Sequence, residues 1–120
     1  MIRRFEFGQR TGKVAERFNL NFERDRLFWV LEKLELAARH LEGDDAAILW
    51  RLEHALLEMQ AVGPRDLPND LHEQFDPIRA AIRAGGSLVM TDWEAEIVGQ
   101  AILKLRGEVE GRIDQQRRAR

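Results

Sequence analysis

The chain has 120 residues, of which 44% are hydrophobic and 33% are charged, with a formal net charge of −2 and no cysteine. That length suits one domain with one hydrophobic core, and the absence of cysteine excludes disulfides, thiol nucleophiles and thiolate metal sites. No apolar run approaches the ~20 residues that span a bilayer, and the N-terminus lacks the apolar stretch of a signal peptide. We therefore expect one cytoplasmic domain, residues 1–120, without a membrane partner.

Residues 1–21 are predicted to form an N-terminal arm. Phe5 and Phe7 alternate with charged side chains before Gly8, which is compatible with a short strand or an extended segment. The stretch that follows has only one turn of helical apolar spacing, so its structure is left open. The arm's phenylalanines make it a candidate cover for an apolar face of the helices.

Residues 22–62 are predicted to form a helical hairpin, because apolar residues recur at helical spacing in two successive runs. The first run contains Leu27, Val30, Leu31, Leu34, Ala37, Ala38 and Leu41, and the second contains Ile48, Leu49, Leu52, Ala55, Leu56 and Met59. Gly43 predicts the end of the first helix in a left-handed turn. Asp44 or Asp45 is predicted to cap the second helix, and so short a link makes the two helices antiparallel.

Two more helices are predicted after the hairpin. Residues 67–84 predict a helix with a kink or a restart at Pro77, with Asp76 as the cap, because proline removes a backbone donor and clashes with the preceding turn. Residues 91–116 predict a C-terminal helix that opens with a capping box, Thr91-Asp92-Trp93-Glu94. The fold class is therefore all-α: a compact bundle of four main helices with a short N-terminal arm, for which up-down-up-down is the simplest topology.

No catalytic, metal or cofactor site is recognisable in the sequence. The histidines have neither the spacing of helical zinc sites nor that of di-iron sites, and no nucleophile has a triad partner nearby. One pair, Glu32 and Glu35, has the spacing with which all-α magnesium-dependent nucleotide hydrolases bind their metal. A solvated, charged helix face explains that pair more simply, so we expect no cofactor and no enzymatic activity.

Both hairpin helices carry a second apolar face. With 100° per residue, the residues that lie opposite the core stripe are Trp29, Leu36 and His40 on the first helix, and Trp50, His54 and Leu57 on the second. Burying a large side chain contributes roughly 1.5–3 kcal/mol, so covering this set is favourable. The candidate covers are the N-terminal arm, a neighbouring helix of the bundle, a protein partner and a second copy of the chain. The remaining alternative is an exposed patch without a function.

Charge is unevenly distributed along the chain. Residues 1–26 hold seven basic and four acidic side chains, residues 104–120 hold six and three, and the remainder holds six and fourteen. The basic ends are candidates for sequence-independent phosphate contacts through Arg3, Arg4, Arg10, Lys13, Arg17, Arg117, Arg118 and Arg120. The acidic middle opposes a general attraction to a polyanion.

The leading hypothesis from sequence is a non-enzymatic protein-interaction module: a small adaptor, inhibitor, immunity-type protein or assembly subunit. It is expected to bind a protein partner, or itself as a homodimer, through the tryptophan face of the hairpin. The first alternative is a small nucleic-acid-associated subunit that uses the arginine-rich ends. The second alternative is an all-α magnesium-dependent nucleotide hydrolase.

Overall fold

The computed structural model describes residues 12–43 and 46–119, with side chains described from residue 25 onward. Four α-helices follow one another: α1 (Gly12–Glu42), α2 (Ile48–Met59), α3 (His72–Arg83) and α4 (Asp92–Arg118). Short 3₁₀ turns occupy Pro64–Asp66, Asn69–Leu71 and Ser87–Val89. These ranges contain no strand, so the predicted all-α helical bundle is confirmed.

Helices α1 and α2 lie antiparallel. Near their link, the Arg51 guanidinium donates to the backbone oxygen of Leu41 at 2.6 Å and to that of Ala46 at 2.9 Å. Further along α1 toward its N-terminus, Trp29 lines a depression together with Asp66, which follows the end of α2. The chain therefore reverses direction within the connection 43–47.

Helix α4 runs antiparallel to α1. Its early residue Gly99 lies beside the end of α1, where a Cβ on Gly99 would meet Leu41 at 3.5 Å. Its late residue Arg117 lies over the ring of Phe28 at 5.3 Å from the centroid. The start of α4 and the end of α1 are consequently at the same end of the bundle.

Helix α3 runs antiparallel to α4. The guanidinium of Arg112 pairs with Asp70, just before α3, while Lys104 lines a depression with Pro77 in the middle of α3. Together with the reversals between α1 and α2 and between α1 and α4, this order of contacts gives the up-down-up-down arrangement.

The core forms where the stripes of the four helices meet. Its largest fully buried side chains are Phe75, Leu34, Leu52, Leu56, Met59, Leu71, Ile78, Ile102 and Leu105. The apolar residues that set the helical period in the sequence supply most of this list. Burial of these side chains is the main stabilising contribution to a bundle of this size.

The helix ends differ from the predictions within the hairpin. Gly43 follows α1 but is not left-handed; the glycines with positive φ in the described residues are Gly85 at 101° and Gly86 at 97°, after α3. The residue at the N-cap of α2 is Ala47, without a side-chain cap hydrogen bond. The predicted cap by an aspartate was therefore wrong, and Asp44 and Asp45 lie outside the described residues.

Pro77 lies inside one continuous helix. Helix α3 extends from His72 to Arg83 without a break, so the predicted restart with Asp76 as cap was wrong. Phe75 and Ile78, on either side of the proline, are both buried in the core. Packing at these positions keeps the helix intact although proline supplies no backbone donor.

Helix α1 includes part of the predicted N-terminal arm. Helix α1 begins at Gly12, so the second half of the predicted arm, residues 12–21, is helical. Residues 1–11, with the possible short strand, lie outside the described residues.

The capping box at the start of α4 is confirmed: Glu94 N–H donates to Thr91 Oγ1 at 3.1 Å and Thr91 N–H donates to Glu94 Oε1 at 3.1 Å. Within the described part of the chain, no helix is apolar over a length sufficient to cross a bilayer.

Candidate functional site

The outer face of α2 is the most exposed part of the predicted interaction surface. Trp50 is 54% exposed and Leu57 is 52% exposed, and His54 between them is also exposed. All three lie on the side of α2 opposite Leu52, Ala55, Leu56 and Met59, which are buried. The position of Trp50 and Leu57 outside the core agrees with the helical-wheel prediction.

A groove of about 440 Å³ lies between the end of α1 and the first turns of α2. Its lining residues are Arg39, His40, Gly43, Ala46, Trp50, Arg51 and His54. Two arginines, two histidines and one indole thus converge on a single concave surface. An anionic group flanked by an apolar side chain is the chemistry that complements such a lining.

The two histidines of the groove interact directly across the hairpin. Their rings are stacked, with centroids 5.5 Å apart and planes inclined at 26°. His40 Nε2 is also 3.5 Å from a carboxylate oxygen of Glu58, one turn after His54 on α2. The structure therefore brings His40 and His54 together, as the predicted common face requires.

Trp29 and Leu36 do not line this groove. Trp29 lies in a separate depression of about 410 Å³ with Asp25, Arg26 and Asp66, and it packs against the margin of the core. Leu36 is half-buried on α1. Of the six predicted interaction residues, His40, Trp50 and His54 share one site, Leu57 extends it along α2, and Trp29 and Leu36 do not contribute to its lining.

A second exposed apolar surface was missed in the sequence. Trp93 is 73% exposed and Ile97 is 49% exposed on the first two turns of α4, and the preceding 3₁₀ turn adds exposed Leu88 and Val89. The helical wheel places Trp93 and Ile97 roughly opposite the buried Ile102. The same geometric test that found Trp50 therefore finds these two residues when it is applied to α4.

The predicted phosphate-contact residues are only partly within the described side chains. Arg117 lies over Phe28 and Arg118 is exposed, both at the end of α4 that adjoins α1. Lys13 and Arg17 lie on early turns of α1, where only the backbone is described, and Arg3, Arg4, Arg10 and Arg120 lie outside the described residues. In the described part of the chain, the last turn of α4 lies beside the middle of α1.

The acidic residues considered for a metal site do not converge. Glu32 and Glu35 are exposed on α1, whereas Glu58 faces His40 and Glu53 lies beside Gly86. Among residues 25–43 and 46–119, no three histidine, aspartate or glutamate side chains are arranged to hold a metal ion. What the described part of the chain does present is binding chemistry: cations, imidazoles and an indole around one groove.

Comparison with known proteins assigns no relative to the chain: no known protein family, no curated protein and no solved structure matches it.

Proposed function

We propose that the protein is a non-enzymatic interaction module that binds a protein partner through the outer face of the α1–α2 hairpin. The observation that carries the proposal is the exposure of Trp50, 54%, at the mouth of a groove that His40 and His54 line with it. Tryptophan is the residue type most enriched at the energetic centres of protein interfaces. An adaptor, an inhibitor, an immunity-type protein and an assembly subunit all act through a surface of this kind.

The framework beneath this face is anchored at several points, which favours binding. Leu52 and Leu56 anchor α2 in the core, and Ser87 donates a hydrogen bond to the backbone oxygen of Leu49. Arg51 ties the start of α2 to the end of α1. Side chains held on such elements lose little conformational freedom when a partner docks, so less of the contact energy is offset by ordering.

The groove adds polar selectivity to the apolar face. Arginine is a common interface residue because its planar guanidinium matches carboxylates. In this groove Arg51 uses two of its N–H groups for backbone oxygens, and a guanidinium has five such donors. The lining therefore favours partners that place a carboxylate next to an aromatic or aliphatic side chain.

Site-specific photo-crosslinking tests the proposal. A photoreactive residue at position 57 is expected to crosslink a discrete protein, either another copy of the chain or a different protein, in cells that express the natural protein. The same residue at position 76, exposed on α3, serves as the control for non-specific crosslinking. Adding Trp50→Ala is expected to abolish the crosslink at position 57.

Trp50→Ala must act on binding and not on folding for this test to be decisive. Because the side chain is more than half exposed, we expect its removal to change the free energy of unfolding by less than about 1 kcal/mol. Urea denaturation of the variant measures this. The proposal fails if position 57 gives no discrete crosslink, or if the crosslink persists unchanged in the Trp50→Ala protein.

Nucleic-acid association is a second candidate function, favoured by the two adjacent arginines in the last turn of α4, which lies beside the middle of α1. Arg117 and Arg118 are the described members of the predicted phosphate-contact set. Phosphate contacts would give an affinity for mixed-sequence DNA or RNA that falls steeply with salt. A salt titration of binding distinguishes it: Arg117→Ala with Arg118→Ala should reduce the salt slope, and no binding at low salt excludes this function.

A further inference from the structure

Two exposed surfaces of this chain have complementary chemistry. The hairpin groove is lined by Arg39 and Arg51 and by two histidines, with Trp50 at its edge. In the described residues no aspartate or glutamate lines it. Among the described residues, the charged side chains that face His40 are Glu58, at 3.5 Å, and the arginines of the groove, so the described lining is cationic on balance.

The first two turns of α4 have the opposite character. Asp92, Trp93, Glu96 and Ile97 are all exposed. With 100° per residue, Asp92 and Glu96 form one row of this helix, and Trp93 and Ile97 form the adjacent row. An acidic row beside an apolar row is the chemistry that the groove favours.

These two surfaces do not cover each other within one copy. Helix α4 turns Ala95, Val98 and Ile102 toward the core, and Trp93, on its opposite side, is 73% exposed. Trp50 is also exposed in the same copy. Contact between the two surfaces therefore requires two molecules.

We propose that the first two turns of α4 of one copy dock in the hairpin groove of a second copy. Asp92 and Glu96 meet the arginines and histidines of the groove, and Trp93 and Ile97 pack against Trp50 and Leu57. This inference rests on the proposed function and specifies its partner. Charge pairs of this kind set the orientation and the selectivity of an interface, and the buried aromatic residues supply most of its affinity.

The proposed contact is head-to-tail. It joins two different surfaces, so a dimer keeps a free groove on one molecule and a free α4 on the other. Such an interface adds further copies until a ring closes. A symmetric dimer formed by two grooves facing each other would instead bury only the hairpin faces.

Salt distinguishes this interface from a purely apolar contact. The described lining of the groove is cationic and its proposed occupant is acidic, so rising salt is expected to weaken self-association.

Sedimentation velocity of the full chain, from micromolar to millimolar concentration at low salt, tests the proposal. As its concentration rises, the wild-type protein is expected to form either a closed ring or an open assembly larger than a dimer. Trp50→Ala and Trp93→Ala are each expected to weaken self-association at least about tenfold, which corresponds to roughly 1.4 kcal/mol. The two variants mixed in equal amounts should form a 1:1 heterodimer and nothing larger, because each supplies the surface that the other lacks.

Charge reversal provides an independent arm. Arg39→Glu and Glu96→Arg should each weaken self-association. A mixture of the two should form a heterodimer through the two unaltered surfaces, and it should grow beyond the dimer because the swapped charges pair between the two altered surfaces. Glu73→Arg, at an exposed position on α3, is the matched control and should leave the wild-type behaviour unchanged. All of these sites are exposed or border solvent, so circular dichroism of each variant is expected to remain that of the folded helical protein.

The outcomes separate this inference from the proposed function. If Trp50→Ala abolishes self-association and Trp93→Ala does not, the hairpin face of one copy binds the hairpin face of another. In that case the proposed function stands and the docking of α4 is refuted. If the wild type stays monomeric at millimolar concentration, the docking of α4 is also refuted, and the crosslink at position 57 then decides the proposed function alone. An unchanged sedimentation profile in both tryptophan variants refutes docking in the same way.

Discussion

The imidazole rings of His40 and His54 stack across the α1–α2 hairpin, with their centroids 5.5 Å apart. The rings come from different helices, so their contact depends on the helices keeping their register. Glu58, one turn after His54 on α2, lies 3.5 Å from His40 Nε2, so it adds a further contact between the same two helices.

We expect Glu58→Gln to destabilise the protein by about 0.5–1 kcal/mol, because it removes a partly exposed carboxylate from its contact with His40. Urea denaturation of the variant and of the wild type measures the difference. Glu35→Gln, an exposed substitution on α1, is the control, and an equal effect of both variants would show that Glu58 has no special relation to the histidine pair.

Gly85 and Gly86 permit a comparison of backbone strain with side-chain crowding. Both have positive φ, but a Cβ at position 85 meets nothing within 4 Å, whereas a Cβ at position 86 would lie 2.4 Å from Glu53 Oε1. Gly86 also has a ψ of −168°, a conformation that is essentially confined to glycine. We expect Gly86→Ala to destabilise by about 1–3 kcal/mol from the backbone alone.

Glu53 is the far end of a flexible side chain and can rotate away from a Cβ at position 86. Gly86→Ala combined with Glu53→Ala should therefore recover little of the loss of stability. Gly85→Ala should also destabilise, since its φ is likewise positive. Thermal or urea unfolding of the wild type, the two single glycine variants and the double variant measures these differences. Near-complete recovery of stability in the double variant would mean that crowding by Glu53, and not the positive φ, causes the destabilisation.

Pro77→Ala is expected to stabilise the protein. Pro77 lies in the interior of α3 and is exposed, so alanine restores one helical backbone donor without disturbing the core. The gain should be about 1–3 kcal/mol, the ordinary difference between alanine and proline inside a helix. A rise in the urea midpoint with an unchanged slope would show it, and Asp76→Ala, at the neighbouring exposed position, is the control for general helix propensity.

The capping box of α4 predicts a pH dependence at the acidic limit. The backbone N–H of Thr91, and then its hydroxyl, donate to Glu94 and hold the pKa of that carboxyl below its ordinary value. A carboxyl whose folded pKa is depressed stabilises the folded state above its unfolded pKa, and that contribution is lost as the pH falls through the folded pKa. The loss of this contribution to stability should begin at pH ~4.3, the ordinary pKa of glutamate, and should increase as the pH falls further.

Glu94→Gln is expected to remove this component. The variant should lose less stability than the wild type between pH about 5 and pH about 3, as measured by the urea midpoint. Glu96→Gln, two residues along the same helix and also exposed, is the matched control. The explanation is wrong if both variants show the same acid sensitivity.

The helical period of apolar residues predicted the fold because burial determines it. Leu34, Leu52 and Ile102 are fully buried in the structure, and each belongs to a stripe that the period of 3.6 residues identifies. The same reasoning placed Trp50 outside the core. Where a side chain's position follows from one helix alone, the sequence was sufficient.

The features that the sequence did not show depend on more than one element. Pro77 does not interrupt α3 because Phe75 and Ile78 are held in the core, which the local sequence does not show. Trp29 lies opposite the core stripe of α1, yet the segment after α2, with Asp66, forms a depression around it. Contacts between separate segments decide these two cases. Trp93 differs from them, because the helical wheel of α4 alone places it roughly opposite the buried Ile102.

The guanidinium of Arg51 links helix termination to the groove. The final carbonyls of an α-helix lack partners within the helix, and Arg51 supplies one for Leu41 at the end of α1 while also holding Ala46. Because the same cation lines the groove, an anion that recruits Arg51 competes with the carbonyls of the inter-helix connection. Binding of such an anion and fraying of the last turn of α1 are therefore thermodynamically coupled. Hydrogen exchange of the backbone amides in that turn consequently reports whether the groove is occupied.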